Sequence, residues 1–291
     1  MNDTGKYHLP KGTSADGPYD LLVTPESAGW GYSGLRILTL GPGQAHTLST
    51  GDAEFLVLPL TGSCTVTTDG KAFELTGRTD VFASATDFAY LPRESEALIS
   101  SADGGTYALP SARTERSSLS ARYGPKEDVP VELRGAGACS RQVNNYCLPG
   151  TFEAEQLLVC EVLTPGGNWS SYPPHKHDEA RPGVESELEE IYYFEVAGDG
   201  FGYQRVYGTQ ERPIDVLAEV RSGDTVLIPH GWHGPSIAAP GYDLYYLNVM
   251  AGPGQDRAWL ICDDPAHGWV RGTWESQDVD DRLPFEGLTQ Q

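Results

Sequence analysis

The chain repeats one order of short elements in its two halves. In the first half an apolar stretch at 35–40 precedes a Gly-Pro-Gly turn, and a second stretch at 54–60 starts with an acidic residue. In the second half, an apolar stretch at 157–163 precedes a Pro-Gly-Gly turn, and the stretch at 190–196 again starts with an acidic residue. Short strands separated by turn residues about every ten positions are typical of sandwiches and small barrels. The repeat therefore predicts an all-β fold of two similar barrels in tandem, related by a divergent internal duplication.

A polar, weakly patterned segment at 111–128 separates the two halves. We expect a first barrel over residues 1–125 and a second over residues 126–291. Residues after about 270 show little periodicity, and we expect this tail to pack over a surface.

The composition of the chain argues against some partners and indicates a cellular compartment. A formal charge of −21 argues against nucleic acid or an anionic membrane as a partner. No apolar stretch approaches the roughly 20 residues needed to cross a bilayer, and the N-terminus lacks the apolar segment of a signal peptide. The five cysteines form no CxxC pair, which favours reduced thiols. We expect a cytoplasmic protein.

Two histidines, His175 and His177, are spaced by one residue ahead of the strand-like stretch at 190–196. On a strand such a pair points to one side, and Lys176 between them points to the other. Glu190 begins the next strand, and His233 follows a turn after another strand. Three imidazoles and a carboxylate converging inside a barrel would hold a divalent metal and leave coordination positions open.

Two of these four assignments have rivals nearby. Glu185, Glu187 and Glu189 compete with Glu190, which is preferred because the following strand would fix its direction. His230 competes with His233 on the other side of the same turn. Strand alternation from Glu190 also predicts that Tyr192 and Phe194 face the barrel interior while Ile191 and Tyr193 face outward.

Metal-bound imidazoles usually need an acceptor for the second ring N–H. Asp178 and Asp224 are the candidates for that role.

The ordered set resembles the two cupin motifs. The matching residues are Gly167, His175, His177, Glu190 and Gly198 for the first motif, and Gly223, Pro229, Gly231, His233 and Asn248 for the second. Two departures stand out. An insertion containing Arg181-Pro182-Gly183 lengthens the gap between the histidine pair and the glutamate. The interval from Gly231 to His233 is one residue short.

A closer resemblance covers almost the whole chain. The blocks at 172–178, 189–194, 202–206 and 242–253 are similar to the 5-deoxy-glucuronate isomerase family, bicupin enzymes of bacterial myo-inositol catabolism related to 5-keto-4-deoxyuronate isomerase. The resemblance implies interconversion of 5-deoxy-D-glucuronate and 5-dehydro-2-deoxy-D-gluconate. In the first half His46 has no paired histidine and Glu54 alone remains of a ligand set. We therefore expect the first barrel to carry no metal and to serve packing or subunit contact.

Aldose–ketose isomerisation needs polarised oxygens and a proton carrier, which a metal and nearby side chains can supply. Zinc is the favoured metal. Manganese and iron stay open as alternatives, because mixed nitrogen and oxygen ligation does not distinguish among the three. Glu190 and Tyr246 are the candidate catalytic residues, since Tyr246 shares a strand face with Asn248. Arg141, Arg205 and Asn248 are the candidates for binding the sugar acid, although either arginine could instead be a surface or structural residue.

A metal-dependent cupin dioxygenase and a non-catalytic sugar-acid-binding cupin stay open as alternatives to the isomerase. Tandem cupins often bury barrel faces against a partner, so we also expect a homo-oligomer.

Overall fold

The computed structural model describes residues 2–285, and the predicted all-β fold with two barrels is confirmed over this range. The last six residues of the predicted second barrel lie outside the described residues. None of the described helices is long and apolar enough to cross a membrane.

The elements of the first half are two short helices and ten strands. They are α1 Thr4–Tyr7, β1 His8–Leu9, β2 Tyr19–Val23, α2 Pro25–Ala28, β3 Ser33–Leu40, β4 Ala45–Ser49, β5 Ala53–Thr68, β6 Lys71–Arg78, β7 Phe88–Leu91, β8 Glu96–Ser100, β9 Gly105–Arg113 and β10 Arg122–Gly124.

Up to residue 285, the second half contains fourteen strands and three 3₁₀ helices. The strands are β11 Val131–Arg134, β12 Arg141–Cys147, β13 Leu158–Thr164, β14 Trp169–Ser170, β15 His175–Lys176, β16 Asp178–Arg181, β17 Glu185–Glu187, β18 Glu189–Val196, β19 Gly202–Tyr207, β20 Asp215–Val220, β21 Thr225–Ile228, β22 Trp232–Ala238, β23 Leu244–Ala251 and β24 Cys262–Asp263. The 3₁₀ helices are Lys126–Asp128, Gly137–Cys139 and Gly268–Ser276.

The first barrel is one nine-stranded antiparallel sheet built around the long strand β5, which pairs with β6, β7, β8 and β9 along its length. Its interior is filled by apolar side chains such as Leu48, Phe55, Val66 and Ile99, each at most 1% exposed. Such close packing stabilises the barrel and leaves its centre to side chains rather than to a ligand.

The second barrel is formed by two antiparallel sheets that face each other. One sheet runs β1-β21-β18-β23-β13-β12-β11, and the other runs β20-β19-β22-β15-β24 with β14 paired to β22. The insertion after the histidine pair forms a separate hairpin, β16–β17. Glu190 therefore projects from one sheet, while His175 and His233 belong to strands of the other and His177 directly follows β15.

Strand β18 explains how the two barrels meet. Tyr192 and Phe194 pack in the core of the second barrel, as predicted from alternation. Ile191 and Tyr193 do point to the other face, but they are buried against apolar side chains of the first barrel. The outward face of this sheet is thus a second core, since covering it with the first barrel removes its apolar surface from water.

Two buried carboxylates tie the barrels together. Arg78 of β6 donates to Glu161 of β13 through both terminal nitrogens, at 2.9 and 2.8 Å, and both side chains are almost fully buried. Glu54, the ligand-type residue left in the first barrel, accepts hydrogen bonds from the backbone N–H groups of residues 155–157 and from Tyr90. Its carboxylate is committed to the contact between the barrels.

The N-terminal segment contacts the second barrel. Strand β1 pairs with β21 of the second barrel, with His8 opposite Val226 and Leu9 opposite Thr225. His8 Nε2 also lies 3.1 Å from Asp224 Oδ2. The pairing is long-range, and nothing in the local sequence around residues 8–9 indicates which barrel they join.

Candidate metal centre and substrate cavity

Three histidines converge inside the second barrel. His175 on β15 lies directly opposite His233 on β22 in the strand register, and their ring centroids are 4.4 Å apart. The ring of His177 lies 4.7 Å from that of His233. One nitrogen from each ring falls within 4.8 Å of the others. Pairing of short strands thus brings a third imidazole to the histidine pair across a separation of more than fifty residues.

Glu190 completes the cluster from the facing sheet. Its Oε2 lies 3.3 Å from His177 Nε2 and 3.0 Å from His233 Nε2. These four side chains are buried, and within residues 2–285 neither oxygen of Glu190 nor either of those nitrogens has a hydrogen-bond partner. Burying polar atoms without partners costs about 1–3 kcal/mol each, so atoms that converge in this way fit a bound cation.

The protonation states of His175 and Glu190 fit a metal, whereas the pKa of His177 is raised, because the lowering effect of burial is outweighed by the neighbouring Glu190. Burial, together with His233 and His177, lowers the pKa of His175 well below its usual value, which keeps the ring neutral. Burial alone would raise the pKa of Glu190, but His233 and His177 lower it to about 2. A neutral imidazole and an ionised carboxylate are the forms that bind divalent metals.

The rivals of Glu190 and His233 are engaged elsewhere. Glu185 pairs with Lys176, and Glu189 accepts hydrogen bonds from the backbone of residues 31–33 in the first barrel. Glu187 is exposed, and His230 lies outside the cluster.

The predicted acceptors for the second ring N–H are wrong. Asp178 contacts Lys176, Arg212 and a backbone N–H, and Asp224 contacts His8 and backbone N–H groups. The Nδ1 of His233 instead lies 3.2 Å from the carbonyl oxygen of Gly231. A tight turn brings a carbonyl next to the ring, and single-sequence patterning does not reveal such a contact.

A cavity of about 480 Å³ opens beside the cluster. Among the predicted site residues, His175, Arg141, Tyr246 and Asn248 line it, while His177, Glu190 and His233 are buried and do not line it. The volume lies within the range of pockets for small molecules.

Tyr246 and Asn248 lie on one face of β23, as alternation predicts. The Tyr246 hydroxyl donates to Ser170 Oγ at 3.0 Å, and the ring stacks on Tyr192 with centroids 4.7 Å apart. Burial raises the pKa of Tyr246, so the phenol keeps its proton at neutral pH. The Oδ1 of Asn248 is buried and has no hydrogen-bond partner within residues 2–285. The Asn248 oxygen is therefore placed to accept a hydrogen bond from a hydroxyl group, and Tyr246 lies beside it on the same wall of the cavity.

The two candidate arginines differ in position. Arg141 is 6% exposed and lines the cavity, and its Nη1 donates to the Cys139 carbonyl at 3.1 Å. No acidic side chain within residues 2–285 forms a salt bridge with it, and burial lowers its pKa to about 10. Arg205 does not line the cavity. Its Nη1 lies 2.5 Å from Asp215 Oδ1 on the adjoining strand, which fits the alternative, kept open above, that this arginine is a surface or structural residue.

Sequence patterning missed two further arginines of the cavity wall. Arg134 pairs with Glu132, and Arg271 pairs with Asp263 through Nη2 at 2.7 Å. The centroid of the Trp274 ring lies 5.5 Å from the guanidinium carbon of Arg141 and 5.3 Å from that of Arg271. The tail around Gly268–Ser276 thus helps to form the cavity wall. Its sequence shows no periodicity from which this position could have been predicted.

The charges of the wall are nearly balanced. Arg134 is paired with Glu132 of the wall and Arg271 with Asp263, which does not line the cavity, so Arg141 supplies the uncompensated positive charge. A bidentate guanidinium suits a carboxylate, and a single excess charge suits a monoanion.

The comparisons with known proteins agree with this architecture. The 5-deoxy-glucuronate isomerase of Geobacillus kaustophilus is 44% identical over 251 residues, covering 85% of this chain and 89% of that protein. An IolB-like protein of Salmonella typhimurium LT2 superimposes with a TM-score of 0.84 at 33% identity, covering 91% of this chain and 98% of that one.

A more distant neighbour is an oxalate decarboxylase of Lactobacillus farciminis, with a TM-score of 0.57, 12% identity and coverage of 83% and 82% of the two chains. This likeness supports the predicted bicupin fold. The model of the KduI/IolB family matches residues 8–270. The chain belongs to the KduI/IolB family.

Proposed function

We propose that this chain is a metal-dependent aldose–ketose isomerase that converts 5-deoxy-D-glucuronate to 5-dehydro-2-deoxy-D-gluconate. The observation that carries the proposal is the buried Arg141, which has no acidic partner within residues 2–285 and lines the same cavity as His175 of the histidine cluster. The cavity therefore offers a carboxylate site and a metal-facing wall to the same small molecule. Relatives named 5-deoxy-glucuronate isomerase support this substrate.

The metal would be held by His175, His177, Glu190 and His233, with zinc favoured and manganese or iron(II) as alternatives. When bound, a divalent metal supplies Lewis-acid polarisation of neighbouring carbonyl and hydroxyl oxygens.

The cavity residues would orient the substrate. Arg141 would bind the carboxylate, and Asn248 would bind a hydroxyl through its free side-chain oxygen. Tyr246 would exchange its hydrogen bond to Ser170 Oγ for one to the substrate oxygen that becomes negative as the proton moves between the two carbons. Glu190, which is buried and does not line the cavity, fits a ligand better than a proton carrier. A cytoplasmic setting and a homo-oligomeric state stay predictions of the sequence.

The test is turnover of 5-deoxy-D-glucuronate by the purified chain without oxygen, before and after removal of metal by a chelator. We expect activity without oxygen, loss on chelation and recovery on adding zinc, manganese or iron(II). Undiminished turnover by metal-free protein would contradict the metal's role. A requirement for oxygen would indicate a dioxygenase, and saturable binding without turnover would indicate a binding protein.

A matched pair of variants sharpens the test. His233→Ala removes a residue of the cluster, whereas His230→Ala removes a half-buried imidazole three residues away that lies outside it. Only the first is expected to abolish metal-dependent turnover.

A further inference from the structure

The insertion that lengthens the first cupin motif folds against the turn that carries His233. It forms the β16–β17 hairpin, in which Asp178 is opposite Glu187. Lys176 of β15 points away from the three histidines, as expected from alternation, and its side chain is buried against this hairpin. Its Nζ lies 2.6 Å from Asp178 Oδ1 and 2.8 Å from Glu185 Oε1. A buried ammonium between two carboxylates holds both of them in fixed positions.

The backbone of Gly231 connects the second carboxylate oxygen of Asp178 to His233. Asp178 Oδ2 accepts a hydrogen bond from the Gly231 N–H at 2.8 Å. The carbonyl oxygen of the same glycine lies 3.2 Å from His233 Nδ1. Accepting the Nδ1 proton leaves the Nε2 lone pair of His233 directed toward Glu190, as a metal ligand requires.

Gly231 is a point at which the chain needs such support. Its φ of +94° is a conformation that suits glycine, and an added Cβ would approach Tyr207 O to 2.8 Å. A glycine has a wide choice of backbone angles, so its own geometry does not hold the carbonyl in place. A hydrogen bond from its N–H to a fixed carboxylate restricts that choice.

We infer that Asp178, fixed by Lys176 and Glu185, is a positioning residue for the metal site that sets the orientation and tautomer of His233 through Gly231. The inserted hairpin is then a support of the metal centre. This inference rests on the proposed metal site and is independent of which substrate the chain converts.

The experiment measures zinc affinity of metal-free protein by competition with a chromophoric chelator. Asp178→Asn is expected to weaken zinc binding about 10–100-fold, the usual effect of losing a residue that orients a metal ligand. Asp224→Asn is the matched control, because Asp224 also accepts backbone N–H groups and is buried in the same barrel, but touches none of the cluster histidines. Its zinc affinity should stay within about threefold of wild type, since it lies outside the ligand network.

A second variant separates charge from position. Asp178→Glu keeps the charge that pairs with Lys176 but shifts the oxygen that binds the Gly231 N–H. It should weaken zinc binding while the melting temperature stays close to that of wild type. The nitrogen chemical shifts of His233 should show a mixture of tautomers in metal-free Asp178→Asn, and the Nδ1-protonated form in wild type and Asp224→Asn.

The outcomes distinguish the possibilities. Wild-type zinc affinity and His233 tautomer in both Asp178 variants would overturn the inference, even if their melting temperatures fall, because the carboxylate would then be only structural. A wild-type chain that binds no divalent metal would overturn the metal site and the inference together.

Discussion

Replacing Arg141 by lysine tests the carboxylate site most directly. The substitution keeps a positive charge in the cavity but removes the planar guanidinium, whose five N–H donors fit a carboxylate in pairs. One of these donors is already used on the Cys139 carbonyl, which leaves the others for a ligand. A lysine ammonium is a compact charge that cannot hold both carboxylate oxygens in the same geometry.

The size of the effect follows from the burial of this side chain. A hydrogen bond to a charged group contributes about 1.5–3 kcal/mol, and Arg141 at 6% exposure is shielded from water and salt. Loss of one such bond corresponds to a fall of about 10- to 150-fold in kcat/KM.

The assay compares 5-deoxy-D-glucuronate with its neutral amide in wild type and Arg141→Lys. If Arg141 binds the carboxylate, replacing the acid by the amide should lower kcat/KM of wild type about as much as the Arg141→Lys substitution lowers kcat/KM for the acid. For the variant, replacing the acid by the amide should lower kcat/KM little further. Arg134→Lys is the control, since Arg134 also lines the cavity but is paired with Glu132, both partly exposed. An exposed ion pair contributes about 0–1 kcal/mol, so kcat/KM should fall by less than about fivefold.

The reasoning would be refuted if the variant acting on the amide showed a loss in kcat/KM equal to the product of the two single losses. Such independent effects cannot arise from one contact between Arg141 and the carboxylate. An Arg134→Lys loss as large as that of Arg141→Lys would also refute it.

Two further substitutions test the chemistry and the barrel contact. Tyr246→Phe keeps the stacking on Tyr192 but removes the hydroxyl, and we expect kcat to fall by about 10²–10⁴ with zinc affinity unchanged, measured by steady-state kinetics and chelator competition; unchanged kcat would exclude a role for the phenol. Arg78→Met leaves Glu161 buried without its cation and should lower the free energy of unfolding by about 3–5 kcal/mol in urea titrations. Replacing Arg78 and Glu161 together by apolar residues should cost less than the sum of the two single changes, and a simple sum would contradict the ion-pair explanation.

The convergence of the three histidines and Glu190 could largely be predicted from local sequence, because it depends on strand alternation and turns. Two histidines one residue apart must share a strand face, and the same rule puts Tyr246 with Asn248 and separates Lys176 from both histidines. The apolar strand after Glu190 fixes that carboxylate toward the interior. These features require only the period of a strand, which is written in neighbouring residues.

The cavity wall could not be derived in that way. Arg141 and Arg205 looked equivalent in sequence, yet one lines the cavity and the other pairs with Asp215 on a neighbouring strand. Arg134 and Arg271 come from segments far apart in the chain, and only the folding of the tail over the barrel brings Arg271 beside Arg141.

The sequence by itself determined the all-β class, the tandem barrels and the side of the strand on which each candidate ligand lies, because backbone alternation and turn chemistry act over a few residues. Only the tertiary structure decided which barrel receives the N-terminal strand, that Ile191 and Tyr193 are buried between the barrels, and that Lys176 belongs to a network behind His233. Those contacts join residues distant in the chain, and their free energy comes from burial and ion pairing that exist only after both barrels have packed.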